Sequence, residues 1–231
     1  MQNENPTWSP QRIQGELVKL GLDVSDNTVA KDMRKPKSDD GKRQRWMTFL
    51  HNHIKYIIGI DFLVVRTIFF KSIHVFVAIS HDRRKILHFV VSSNPHSQWA
   101  IQQLRETFAF DETTKYVILE NDKIFSEDFK LHIRNFGLED TPTAPRSPWQ
   151  NPICERVIGT LSRESLDRMI ILNEKHLQGV LDEYINNYYN VSRTHMSLEK
   201  DSPVHRPVQA SGKIVSKPIL GGLHHIYSRV A

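Results

Sequence analysis

Four acidic residues stand where an acid is either costly or well aimed: Asp61, Glu120, Asp122 and Glu155. Asp61 interrupts "YIIGIDFLVV", a nearly continuous apolar run built for a core strand. An unpaired carboxylate there would cost several kcal/mol, so the position calls for a partner or a cation. Glu120 and Asp122 close a second apolar run, "KYVILEND", and strand alternation puts both on one face. Glu155 falls in the first turn of a helical pattern, "NPICERVIGTLSRESLD", where the helix dipole alone would favour an acid. Carboxylates gathered from such places repel one another unless divalent cations neutralise them, and hard oxygen ligands select Mg²⁺ or Mn²⁺. Two such ions about 3.5–4 Å apart activate an attacking oxygen and stabilise a leaving one in phosphoryl transfer. Spacing alone leaves the alternative equally open, that these are unrelated acids on ordinary elements.

Three regions must position these acids. From Ser9 to Met33 two short helical patterns flank a turn. Ser9 can cap the first, with Pro10 at its first position and Ile13, Leu17 and Leu20 as an apolar stripe; Gly21 stops it. Ser25 can cap a second, polar helix ending near Met33. That outline is a helix-turn-helix, although any helical hairpin produces it. From Lys31 to Arg45 seven basic residues face three acidic ones, interrupted by Pro36 and Gly41. The segment reads as a linker able to lie along phosphates through Lys42, Arg43 and Arg45, or as a solvated hinge.

Beyond Tyr56 the pattern turns to strands. "YIIGIDFLVV", "IHVFVAIS" and "KILHFVVSS" are joined by short polar turns, which predicts three antiparallel neighbours. A helix over Gln98–Phe108, the run ending at "END", a helix over Ser126–Phe136 stopped by Gly137, and the short run "LEDTPTA" follow. A long helix is expected from about Ile153 to Ile170, with Ile153, Val157, Ile158 and Leu161 as its buried stripe and Glu155 on another face. A last helix covers Glu174 to Asn190, and the tail past Pro203 shows little periodicity. Three strands followed by alternating helix and strand imply a mixed sheet with helices on its faces.

Composition removes several classes. The 231 residues, 39% hydrophobic and 25% charged, suit one good core plus a small appendage. A single cysteine, Cys154, excludes a disulfide framework or a thiolate zinc site within one chain; on an apolar helix it is read as packing rather than as a nucleophile. No run approaches the ~18 apolar residues of a membrane span and no signal peptide opens the chain, so work in the cytoplasm or at nucleic acid is expected.

The blocks "GIDF", "FSEDF", "APRSPWQNPICERVIGTLSRESLD" and "YYNVSRTHMSLEKDSP" resemble the retroviral-integrase-like catalytic core of bacterial DDE transposases and integrases. The resemblance runs from about Pro6 to Pro203 and rests most on the proline-tryptophan turn and the closing "YN..R.H.SL...P" pattern. It implies an α/β, ribonuclease-H-like fold: a mixed five-stranded sheet flanked by helices, with a small N-terminal helix-turn-helix. The implied layout is a helix-turn-helix over 1–35, a basic linker over 36–50, the catalytic core over 51–207 and a tail over 208–231. It further implies two Mg²⁺ (or Mn²⁺) ions, DNA as both element ends and target, a homodimer or larger assembly on DNA, and a bacterial, nucleoid-associated setting. The first and last catalytic acids would be Asp61 and Glu155.

The middle acid departs from the family. Relatives carry Asp-Arg-Asp where this chain has Glu120-Asn121-Asp122, and the family's interval points to Glu120, 35 positions before Glu155. A Glu in place of Asp moves the carboxylate by roughly an ångström, enough to cost ~10²-fold where positioning matters. Asp122 keeps the family's side chain but lies two residues late, so Glu120 ligates weakly, Asp122 substitutes, or the site is degenerate. The implied activity is metal-dependent cleavage at a transposon end and direct transfer of the freed 3′-hydroxyl to target DNA. The alternative is an inactive, DNA-binding remnant; a ribonuclease acting on RNA fits the "SPWQN" and "YYN" blocks poorly. Arg146 and Arg156 are candidate phosphate contacts, Trp149 packs the turn and Asn151 caps the long helix. His195 beside Arg193 is read as structural, with a DNA contact as the alternative.

Overall fold

The computed structural model describes residues 1, 4–5, 8–33, 40–109, 113–120, 124–144 and 147–230. Two compact units divide the chain, Met1–Thr48 and Phe49–Ala231. In the first, α1 (Pro10–Lys19) and α2 (Asp26–Asp32) begin where their capping serines stand: Ser9 Oγ accepts from the Arg12 N–H and Ser25 Oγ from the Thr28 N–H. Gly21, at φ 79°, takes the left-handed conformation that ends α1 cheaply.

The stretch expected to be a linker is helical from Asp40 on, as α3 (Asp40–His53). Its helical state is set by the apolar end of the segment. Leu50 is buried, and the rings of Phe49 and His53 each lie 5.0 Å from Tyr116. Docking of that last turn stabilises a helix that its basic first half would not form alone.

In the second unit five strands, β1 (Ile57–Arg66), β2 (Ser72–Ser80), β3 (Ile86–Ser92), β4 (Tyr116–Leu119) and β5 (Glu139–Pro142), form one sheet in the order β3-β2-β1-β4-β5. The first three pair antiparallel, as their short turns require. β4 joins β1, and β5 joins β4, in parallel. Each of those strands is reached through a crossover helix, α4 (Ser97–Phe108) and α5 (Glu127–Asn135).

Alternation along β1 divides two cores. Ile58, Ile60 and Phe62 pack with α4 and α5 on one face, whereas Leu63 and Val65 join α6 (Pro152–Glu164) and α7 (Glu174–Tyr184) on the other. Asp61 shares the parity of Leu63 and Val65, so it points to the α6 side.

Three elements differ from expectation in instructive ways. The long helix ends at Glu164 instead of Ile170, because Ser165 leaves helical geometry (φ −130°, ψ −68°) and a short turn carries Leu166 and then Ile171 back into the core. Its buried stripe is Cys154, Val157, Thr160 and Leu161; Ile153 and Ile158 are only half-buried. The last helix holds its α ladder to Tyr184 and continues as π turns over Ile185–Tyr189, where the Asn190 N–H reaches the Ile185 carbonyl. In a regular α-helix Tyr184 and Tyr189 would lie about 140° apart; the π turns let both rings enter the same core fully buried.

The tail that showed no period folds as a hairpin, β6 (Lys213–Ile219) with β7 (His224–Val230), turned at Gly221 and Gly222 with positive φ. Ile219 and Leu220 anchor it in the α6–α7 core. Among the described residues, no helix is long and apolar enough to cross a membrane.

Candidate active site

Asp61 lies in the middle of the sheet, paired with Val77 of β2, and is only 8% exposed. Its Oδ1 accepts the Phe62 N–H at 2.7 Å. In the parallel pairing of β1 with β4, Ile60 stands opposite Leu119. The next residue on each chain is Asp61 and Glu120, so the two acids emerge side by side where β4 ends, on the face toward α6. Glu120 is half-buried there.

Helix α6 sits on this face through a close approach at Gly59, two residues before Asp61. A Cβ at Gly59 would collide with the Cys154 thiol and would meet His81 Nε2 at 2.8 Å and Asn151 Oδ1 at 3.0 Å. Only glycine lets the first turn of α6 lie this close to the strand. That turn presents Glu155 at its exposed side, its N–H bonded to the Asn151 carbonyl at 3.2 Å.

The Cys154 thiol registers the convergence. Burial raises its pKa well above the ordinary value; Asp61 adds to the rise, as do Glu120 and Glu155, and a contact from Asn151 opposes it. Three carboxylates on three elements therefore act on one buried sulfur. The same effect keeps Cys154 a protonated packing residue, as its place on an apolar helix face suggested, and removes it as a nucleophile.

The donor types fit a hard divalent cation: the acids on this face offer carboxylate oxygens, and the one soft group, Cys154, is held protonated. Among the described residues, however, no three of His, Cys, Asp and Glu are grouped as a metal-binding set. Asp122, the alternative second acid, lies outside the described residues, as do Arg146 and the side chain of Lys42. Arg43 and Arg45 are exposed on α3, in the Met1–Thr48 unit. Arg156 is exposed beside Glu155.

Asn151 stands at the N-cap of α6 but makes no side-chain cap bond, contrary to expectation. Its amide is buried against His81 and Cys154 instead, close enough to act on both without a well-formed hydrogen bond. The helix entry is held by packing on Gly59, and the capping role fails because the amide is spent inward. Trp149, in the turn before α6, is half-buried, as a packing residue would be.

Two further residues escaped sequence reasoning. His81, at the end of β2, is 1% exposed, and burial pushes its pKa down to about 4. Arg84, in the β2–β3 turn at φ 57°, is partly buried; burial lowers its pKa, and the nearby charges of Arg156 and Arg193 lower it further. Arg84 thus lies near Arg156, the residue that follows Glu155 on α6. The basic turn "HDRRK" was visible, but nothing in it said which arginine would face the helix.

His195 proves structural. It is 6% exposed, packs edge-on to Tyr189 at 5.2 Å, and has its pKa lowered to about 4 by burial and Arg193. Arg193 is committed to Glu164, with Nε 2.8 Å from Oε2, and Tyr184 shares that carboxylate at 2.8 Å.

A pH dependence follows from His81. Its folded pKa lies below the unfolded 6.5, so the folded state keeps it neutral while the unfolded chain binds a proton first. Stability is full above pH 6.5 and falls as pH drops toward 4, by roughly 3 kcal/mol from this residue alone. Urea unfolding from pH 7.5 to 4.5 should show that loss together with a comparable share from His195, and His81→Gln should remove the His81 share alone.

Residues 137–203 match the integrase core domain family. Comparison with curated protein sequences gives no match. Among solved structures, the catalytic domain of the Mos1 mariner transposase superposes with a TM-score of 0.55 at 11% identity, over 67% of this chain and 84% of that one. A chain of the simian T-cell lymphotropic virus intasome in complex with PP2A regulatory subunit B56 gamma gives 0.52 at 14% identity, over 76% of this chain and 66% of that one. The HTLV-2 integrase catalytic core domain in complex with magnesium, in a trimeric form, gives 0.51 at 11% identity, over 66% and 97%. Sheet order and flanking helices agree with these domains in fold, which is ribonuclease-H-like, and the segment that matches the integrase core domain family takes in α6 and α7.

Proposed function

We propose that the chain is a DDE-type polynucleotidyl transferase that cuts and joins DNA strands with divalent cations, slowed by a glutamate at its second acid position. The observation that supports this reading most is the placement of Asp61 and Glu120 at consecutive points of neighbouring parallel strands, with Glu155 on a helix seated over the same face. Asp61, Glu155 and either Glu120 or Asp122 would hold two Mg²⁺ or Mn²⁺ ions; magnesium accompanies the HTLV-2 integrase core named above. Bound there, such ions would supply charge neutralisation at the scissile phosphate and an activated attacking oxygen. Arg84 and Arg156 would hold the flanking phosphates, Gly59 and Cys154 set the depth of Glu155, and the buried Asp61 fixes the ligand geometry from the strand side. The α1–α2 pair would act as a helix-turn-helix on element ends, with Lys42, Arg43, Arg45 and Arg146 along the backbone, in a dimer or larger assembly at the bacterial nucleoid.

A second reading, a DNA-binding remnant without turnover, is favoured by one observation: the described residues hold no assembled three-ligand set. Metal-dependent strand transfer with the protein's own terminal inverted repeats separates the two. Glu120→Asp refines the test. Shortening the side chain by one methylene should raise Mg²⁺-dependent nicking by about tenfold if Glu120 is the second ligand. An unchanged rate would leave that role to Asp122, and a fall would mean that the longer Glu120 side chain is itself the fitted ligand.

A further inference from the structure

The C-terminal hairpin forms one wall of a cleft of about 370 Å³, whose other wall is the segment from Ser192 to Gln209. Sequence patterning gave this region no role. Lys200, Arg206 and Arg229 line the cleft, with the hydroxyls of Ser192 and Thr194 and the ring of Tyr227, which is 57% exposed. The one carboxylate among the described lining residues, Asp201, is already committed: it accepts from Arg83 at 2.6 Å, His205 at 2.7 Å and the Ser202 N–H at 2.8 Å. The cations, in contrast, keep donors to spare. Arg206 uses Nη1 on Ser192 Oγ (3.1 Å) and Nη2 on the Tyr227 carbonyl (2.8 Å), and Arg229 uses Nη1 on the Gly212 carbonyl (2.8 Å). Such anchoring orients each guanidinium and leaves further N–H groups of its five free to point at an anion.

We propose that this cleft binds the phosphodiester backbone of duplex DNA, with Lys200, Arg206 and Arg229 on phosphates and the Tyr227 ring against a sugar. The proposal rests on the DNA reading above and adds a second contact site to it. Charge argues for the polyanion: from Asp201 to Ala231 the chain has four Lys or Arg against one acid, within a chain whose net charge is only +5. The aromatic ring among cations suits a ligand that alternates phosphates with sugars, better than an isolated anion. Position argues for continuity with the acids. His224 of β7 donates from Nε2 to the Glu164 carbonyl at 2.8 Å and stacks on Tyr188 at 4.4 Å. The hairpin is therefore tied to the last turn of α6, whose first turn carries Glu155 about 14 Å away along the helix.

The test is salt-dependent binding of the full chain to a fluorescein-labelled random-sequence duplex of about 40 base pairs. Lys200→Glu with Arg229→Glu should weaken binding by about tenfold or more near 0.1 M salt and make the slope of log K against log salt shallower by about 1.8. Tyr227→Ala should weaken binding with the slope unchanged. Thermal melting checks the fold; if the double variant is unstable, Lys200→Glu alone should still reduce the slope by about 0.9. Wild-type slope in a folded double variant would overturn the cleft while leaving the DNA reading intact. Loss of binding in that variant, combined with nicking that survives Asp61→Asn, would sustain the cleft and overturn the catalytic reading. A wild-type chain that binds no duplex at any salt overturns both.

Discussion

Asp61→Asn is expected to reduce Mg²⁺-dependent nicking of matched end DNA by at least ~10²-fold. The substitution keeps the shape of the side chain and replaces the charge proposed to ligate metal with a neutral amide. Asp61 is buried on the face that also receives Glu120 and Glu155, so removing one negative charge relieves repulsion in the metal-free protein. The variant should therefore melt at the wild-type temperature or above it without metal. With Mg²⁺ added, the wild type should gain stability as RT ln(1 + [L]/Kd), and the variant should gain far less. Nicking at wild-type rate would remove Asp61 from the chemistry. Equal stabilisation of both proteins by metal would place the ions elsewhere.

Gly59→Ala is expected to have the second-largest effect, through position alone. Its methyl group would enter space held by the Cys154 thiol, His81 Nε2 and Asn151 Oδ1. Overpacking of this kind costs about 1–3 kcal/mol. The helix can relieve it only by moving outward, and a shift of an ångström at Glu155 would lower strand cleavage by up to ~10²-fold. Combining Gly59→Ala with Cys154→Ala removes the worst collision, so a double-mutant cycle should show the two changes partly compensating in both stability and rate. Purely additive losses would mean that the close approach does not set the helix.

What could be read from the sequence followed from strong local physics. Ser9 and Ser25 cap α1 and α2 as their types foretell, and the three β-branched runs pair antiparallel because their turns are too short for anything else. Asp61 stood out because a core strand does not tolerate a stray charge. The features that were not legible depend on tertiary fit. Gly59 gives no sign in "GIDF" that a thiol will press against it, and Asn151 has the right type for a cap but turns inward. The β6 strand contains Lys217-Pro218, a pair that argues against a strand except at an edge, and it is stabilised by Ile219 and Leu220 reaching a distant core. The π turns after α7 have no sequence period to announce them; the two tyrosines that need a common face reveal them only once the core is known.

Soaking crystals of the full chain with Mn²⁺ and recording anomalous scattering tests the central assignment most directly. The predicted result is two peaks about 3.5–4 Å apart, ligated by Asp61, Glu155 and a carboxylate from Glu120 or Asp122, on the α6 side of the sheet. Peaks absent from that face at saturating Mn²⁺, or coordinated without Asp61, would contradict it.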